Sequence, residues 1–224
     1  YYVKYSPEHI LDMPKVCEPL DDALPVTIDD MINSVYVDLN SKSLLNFSMA
    51  APSIELLPTA KLNKAVVHSL RQSKTSCLHY EHIQGNAALR KQIARQAFNW
   101  GGTPSDEDIV VTAGCVEALS LCIKATTKPG DAVAIESPTY FAIFQLMESH
   151  GLKVVEIPTD PVLGMDIDYL TQAIPRFNIK VCLVVNNFNN PLGSCMPDDR
   201  KKHLVEMLAK KEIPLIEDDI YGEL

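Results

Sequence analysis

The chain has 224 residues and a formal net charge of −9, from 20 Lys+Arg against 29 Asp+Glu. Apolar residues make up 46% and charged residues 22%, which excludes wholesale disorder and leaves enough apolar side chain for a sizeable core. The acidic balance makes the chain as it stands a poor surface for nucleic acid.

Residues 1–25 read as linker, because Pro7, Pro14, Pro19 and Pro25 each bias the residue before them away from helix. A helical stretch is expected over Val26–Val35, and 40–58 is turn-rich with a strand-like piece at Leu44–Phe47. Ala60–Gln72 places Leu62, Val66, Val67 and Leu70 on one helix face. Gly85–Trp100 does the same with Leu89, Ile93, Ala97 and Trp100, and Gly101-Gly102 stops it. From there strands and helices alternate. Asp108–Thr112 reads as a buried strand, Cys115–Ala125 as a helix, and Ala132–Glu136 as a strand after the turn Pro129-Gly130-Asp131. Pro138 is expected to open a helix over Thr139–His150, ended by Gly151. Val154–Ile157 is a strand, Ile167–Ile174 a short helix, Lys180–Val185 a strand, Pro197–Lys210 a helix and Ile213–Ile216 a final strand. Short apolar strands between helices of 10 to 14 residues predict an α/β fold with a mostly parallel sheet sandwiched by helices.

The six cysteines show no CxxC spacing and read as free thiols in a reducing cytoplasm. No apolar run approaches the roughly 18 residues of a membrane span, and YYVKYSPEHI lacks a signal-peptide core. A soluble, cytoplasmic protein with no membrane partner is expected. The start without Met points to a piece of something longer.

Ligands of open α/β sheets bind at the carboxyl ends of strands, so the strand-to-helix junctions carry the chemistry. Thr112-Ala113-Gly114-Cys115-Val116 is a small turn into a helix, suited either to a phosphate at the helix N-terminus or to tight packing. No GxGxxG or GxxxxGK[ST] is present. Glu136-Ser137-Pro138-Thr139-Tyr140-Phe141 offers an aromatic that either stacks on a flat ligand or fills core. Asn186-Asn187-Phe188-Asn189-Asn190-Pro191-Leu192-Gly193 offers side-chain amides for a polar ring substituent, or ordinary turn formers. Glu217-Asp218-Asp219-Ile220-Tyr221 gathers carboxylates that suit either a metal or a charge partner for a bound cation; with no His or Cys cluster beside them a transition metal is not expected, and no metal ligand is assigned.

In this order the four junctions resemble the cofactor face of fold-type I pyridoxal-phosphate enzymes, the aspartate aminotransferase superfamily. The most specific part is Asn190-Pro191-Leu192-Gly193 followed by Asp218-Asp219-Ile220-Tyr221. The resemblance implies pyridoxal phosphate as cofactor. Ala113, Gly114 and Cys115 would hold its phosphate, Tyr140 would stack on its ring, and Asn190 and Tyr221 would bind its phenolic oxygen. Asp218 would pair with the protonated ring nitrogen; it lies three residues before the tyrosine, as in the family's D-x-x-Y pattern. Tyr80 would reach the phosphate of the partner subunit, implying a homodimer. The Schiff-base lysine and the substrate-clamping arginines would lie downstream, so no catalytic residue is assigned within this chain. Ala50-Ala51 stands where relatives carry Gly before Pro52.

YYVK is similar to the last wing strand of GntR-type winged-helix domains, and TAGCVEALSLCIKA and IEDDIYGEL look like phrases of the MocR-type regulators. The resemblance implies that 1–43 holds a wing remnant, linker and N-terminal arm, and that 44–224 is the first part of an aminotransferase-like large domain. In that reading the chain belongs to an effector-sensing module for an amino acid or the cofactor, and DNA is bound only through a separate N-terminal domain. The alternative is the first half of a stand-alone aminotransferase acting on 2-amino acids.

Overall fold

The computed structural model describes residues 16, 18, 22, 24–25, 53–72, 78–98 and 101–222. The chain forms two compact units, one made of 1–48 with 119–224 and the other of 49–118.

The first unit is built on a parallel sheet. Its strands are β1 (Leu24–Pro25), β2 (Ala132–Ser137), β3 (Lys153–Asp160), β4 (Gly164–Met165), β5 (Ile179–Val184) and β6 (Leu215–Glu217). They lie in the order β1-β3-β2-β5-β6, with β4 paired to β3. The pairs β2–β3, β2–β5 and β5–β6 are parallel; β1 and β4 join β3 antiparallel. The run AVAI of β2 and VCLV of β5 are buried at every position, as strands covered on both faces must be. On one face Ala134, Ile157, Cys182 and Val184 pack with Leu170 and Ile174 of helix α5 (Ile167–Phe177) and Leu204 and Leu208 of helix α6 (Asp198–Lys210). Two further helices belong to the alternation, α3 (Cys115–Thr126) and α4 (Phe141–Ser149). The connection from β2 leads outward to β3, whereas that from β5 leads the other way to β6. The order therefore reverses between β2 and β5, and their carboxyl ends flank the switch-point crevice of the sheet.

Several boundaries differ from the sequence reading. Leu24–Pro25, the end of the expected linker, is a short edge strand on β3; a proline fits an edge because its missing N–H is not needed there. Helix α4 starts at Phe141 instead of Thr139, because Tyr140 is extended (φ −63°, ψ 127°). Helix α5 runs on to Phe177 with Pro175 inside it, and stops at left-handed Asn178 (φ 53°). β6 begins at Leu215, since the Ile213 N–H is drawn back to Leu208 O at the end of α6.

In the second unit, α1 (Thr59–Gln72) and α2 (Ala87–Ala97) match the helical periodicity. Asn86 caps α2, its side-chain oxygen accepting from the N–H groups of Ala88 (3.0 Å) and Leu89 (3.1 Å). Arg90 is buried, donates to Asp106 O and lies 3.9 Å from the Glu107 carboxylate. Asp108–Thr112, expected as a buried strand, is not one. Val111 N–H donates to Gln84 O, but no strand among the described residues pairs with the segment, and Val110 is exposed. An apolar run becomes a strand only where a ladder is offered to it. The expected helix at Val26–Val35, the strand-like piece at Leu44–Phe47, the YYVK segment and Ala50-Ala51 lie outside the described residues.

Candidate functional site

At the β2–β5 switch point the two strand ends are joined by a buried acid, Glu136. The β2–β5 ladder ends at Ala134↔Cys182, and beyond it Glu136 takes over as acceptor. Its Oε2 receives the Val185 N–H (2.7 Å) and the Asn189 side-chain amide (2.9 Å). Burial pushes the Glu136 carboxyl up to about 7, against the pull of those two donors. Asn189 in turn closes the following turn: its N–H donates to Ser194 O, its carbonyl accepts from Gly193 N–H, and its side-chain oxygen from Leu192 N–H. Asn190 and cis-Pro191 sit within that turn, and Gly193 supplies the left-handed φ (69°) on which it reverses.

The ends of β5 and β6 are laced together by the other asparagines. Asn186 donates to the Glu217 carboxylate (2.9 Å). Asn187 donates to the Asp219 carboxylate (2.6 Å) and accepts from Lys201 (2.8 Å). Two of the four expected amide donors are thus engaged by carboxylates of the next strand end. The three carboxylates diverge: Glu217 and Asp219 are exposed, whereas Asp218 is 8% exposed, with its N–H bound to Val184 O. The side chain of Asp218 accepts from Ile220 N–H (3.3 Å). Tyr221 is half-buried in the turn that follows. Tyr140, also half-buried, caps α4 at the end of β2, its ring 4.7 Å from that of Phe141 and tilted by 55°. The fold therefore brings Tyr140, Asn190, Asp218 and Tyr221 to the carboxyl ends of β2, β5 and β6. Among the described residues no group of three His, Cys, Asp or Glu side chains is placed to hold a metal.

The remaining expected site residues belong to the second unit. Gly114 has φ 144°, and the space where a Cβ would stand is open. Ala113 N–H donates to the Glu117 carboxylate (2.5 Å), so an acid of the helix's own first turn engages the first amide of the turn. Tyr80 is fully exposed.

Residues 38–224 match the family model for aminotransferase class I and II. The chain belongs to this family. It is 36% identical to the HTH-type transcriptional regulator YjiR of Escherichia coli (strain K12) over 217 residues, 95% of this chain and 45% of that protein. It is 35% identical to YdcR of the same organism, over 100% of this chain and 47% of the relative. Identity to the 2-aminoadipate transaminase of Thermus thermophilus is 29%, over 81% of this chain and 44% of the enzyme. Among solved structures, the Pyrococcus horikoshii kynurenine aminotransferase superposes with a TM-score of 0.77 at 27% identity, covering 88% of this chain and 49% of that one. This family member thus spans about half the length of the relatives it matches, and its fold is that of the aspartate aminotransferase-like large domain.

Sequence reasoning did not single out Glu136 as a site residue. Its signal was present: a lone carboxylate closing an apolar strand, AVAIE, just before a turn. No helix among the described residues is long and apolar enough to cross a membrane.

Proposed function

We propose that this chain is the pyridoxal-phosphate-binding, aminotransferase-like module of an HTH-type transcriptional regulator of the MocR/GntR kind. It senses an amino acid or the cofactor as a cytoplasmic homodimer, and DNA is bound through a separate domain. The observation that carries the reading is the reach of the similarity. It extends over 95% and 100% of this chain for the two regulators but 81% for the transaminase, so it takes in residues ahead of position 38, where the family model begins.

The residues fit the cofactor. A carboxylate is buried at the end of β6, and Thr139 Oγ1 and Asn186 Oδ1 are buried without a hydrogen-bond partner at the ends of β2 and β5. Buried polar atoms of this kind are normally satisfied, so their presence at one sheet end suits a polar ligand. When bound, pyridoxal phosphate supplies an electron sink for negative charge at an amino acid's Cα. Asp218 holds a proton at the ring nitrogen, and its burial strengthens that charge pairing. Tyr140 stacks on the ring, and Asn190 and Tyr221 bind its phenolic oxygen. Ala113, Gly114 and Cys115 receive the phosphate, and Tyr80 reaches the partner subunit's.

A second reading, a stand-alone aminotransferase on 2-amino acids, is favoured by the 29% identity to the 2-aminoadipate transaminase. The test is to reconstitute the full-length protein with pyridoxal phosphate and add amino acids with 2-oxoglutarate. The regulator reading expects visible absorbance and an amino-acid-dependent change in affinity for its own promoter DNA. Formation of glutamate with no effect on DNA supports the enzyme, and a protein that takes up no cofactor overturns both.

A further inference from the structure

We propose that Glu136 is a positioning residue of the cofactor site: its buried carboxylate anchors the Asn189–Gly193 turn and so fixes Asn190 at the crevice between β2 and β5. The inference rests on the cofactor reading above and extends it to a residue that does not itself touch the ring.

Three observations converge. The first is place. Glu136 is the fifth residue of β2, at the carboxyl end of the strand that flanks the topological reversal. The second is the bonding pattern. One oxygen, Oε2, holds both the N–H of Val185, the residue just past the end of β5, and the Asn189 side chain 53 residues away in sequence. Asn189 passes the constraint on directly, because its backbone closes the turn against Gly193 and Ser194 with Asn190 between them. The third is cost. Glu136 is 1% exposed, and among the described residues no Lys, Arg or His forms an ion pair with it. A buried carboxyl without a cation is expensive, and an apolar side chain would serve the core better unless the position had a task.

The titratable groups near it are also acids. Cys182 on β5 is fully buried, and its thiol is pushed up by burial and by the Glu136 charge. Glu156 on β3, in register with Ile135, has its carboxylate held by the Ser137 hydroxyl (2.8 Å). Asp218 stands at the end of β6, the strand beyond β5. Among the described residues no cation pairs with Glu136 itself, so loss of its charge is felt at the end of β2, and removal of its oxygen releases the turn.

The test uses the full-length protein and compares wild type, Glu136→Ala, Asn190→Ala and the double variant. Three quantities are read: affinity for pyridoxal phosphate, the pH midpoint of the bound cofactor's visible band, and the melting temperature without cofactor. Glu136→Ala is expected to weaken the cofactor by about tenfold or more, and the double variant to be within about threefold of Asn190→Ala, since two residues acting through one contact are non-additive. A Glu136→Ala protein that melts lower yet binds the cofactor with wild-type affinity and band overturns the proposal, as does an additive double variant. Where Glu136→Ala does not fold, Glu136→Gln decides. It keeps an acceptor oxygen and is expected to match the wild-type melting temperature at low pH, where the wild-type carboxyl is also neutral, while moving the band's pH midpoint, and an unmoved midpoint overturns the proposal. A wild-type protein with no visible band removes the cofactor reading and this one with it. A normal wild-type band with unaltered variants removes this one alone.

Discussion

The two units of the chain solve the burial problem differently. In the first, β2 and β5 are covered on both faces, and Val133, Ala134, Ile135, Val181 and Cys182 are all fully buried. In the second, no residue of α1 is buried, and its apolar stripe of Leu62, Val66 and Leu70 is exposed by 62%, 50% and 60%. Both segments read as amphipathic or apolar in sequence, yet only one has its partners within the described residues. Periodicity reports what a segment can bury, and tertiary context decides whether it does. The contrast extends to function. The proposed ring contacts stand on the well-buried strand ends, which hold side chains more firmly than a helix whose apolar stripe is uncovered among the described residues.

The sharpest way to break the contrast is a matched pair of truncations. Leu204→Ala, at a fully buried position of α6, is expected to cost about 4 kcal/mol, from lost burial and the cavity left behind. Leu62→Ala in α1 should stay within about 0.5 kcal/mol. Urea unfolding of the full-length protein, with hydrogen exchange assigning the loss to each segment, checks both. Comparable costs would erase the distinction.

The next effect is in pH. The Glu136 carboxyl is raised in the fold from an ordinary 4.5 to about 7. The native state therefore binds more protons than the unfolded state between these values. Its contribution is fully present below about pH 4.5 and is lost as pH rises through about 7. Relative to Glu136→Gln, wild-type stability is expected to fall across that window by an amount on the order of 3 kcal/mol. A flat difference between the two proteins would show that the carboxyl is not desolvated.

A smaller effect is expected at the second unit's best-defined local feature. Asn86→Ala removes the acceptor of two helix N–H groups and should cost about 1 kcal/mol, read as faster exchange in Ala87–Ala97. The smallest concerns Glu117. Its carboxylate occupies the Ala113 N–H that the proposed phosphate role requires. Glu117→Gln is expected to tighten pyridoxal phosphate by about two- to fivefold, in line with charge effects of a few tenths to 1 kcal/mol at a helix N-terminus. Weaker binding would mean the acid supports the turn instead of competing for it.

Much of this was legible in the residues. The runs AVAI, KVCLV and the helix at Asp198–Lys210 announce a parallel sheet with covering helices, because strands buried on both faces lose the alternation that half-buried strands keep. Asp218 could be separated from Asp219 only by a family spacing. The structure adds a physical difference, one buried and the other exposed and hydrogen-bonded to Asn187. What stayed illegible depended on distant partners. Asp108–Thr112 has a strand's composition but no ladder among the described residues, and Glu136 reads as an ordinary strand-end acid until Asn189 is brought to it from the turn after β5.

The central claim is that the carboxyl ends of β2, β5 and β6 bind the ring of pyridoxal phosphate, with Asp218 as its charge partner. The most direct measurement is cofactor retention by the full-length protein, reconstituted and then desalted, in wild type, Asp218→Ala and Asp219→Ala. The expected result is visible absorbance in wild type and Asp219→Ala and its loss in Asp218→Ala, with all three melting alike before cofactor is added. Equal retention in Asp218→Ala, or a colourless wild type, would contradict it.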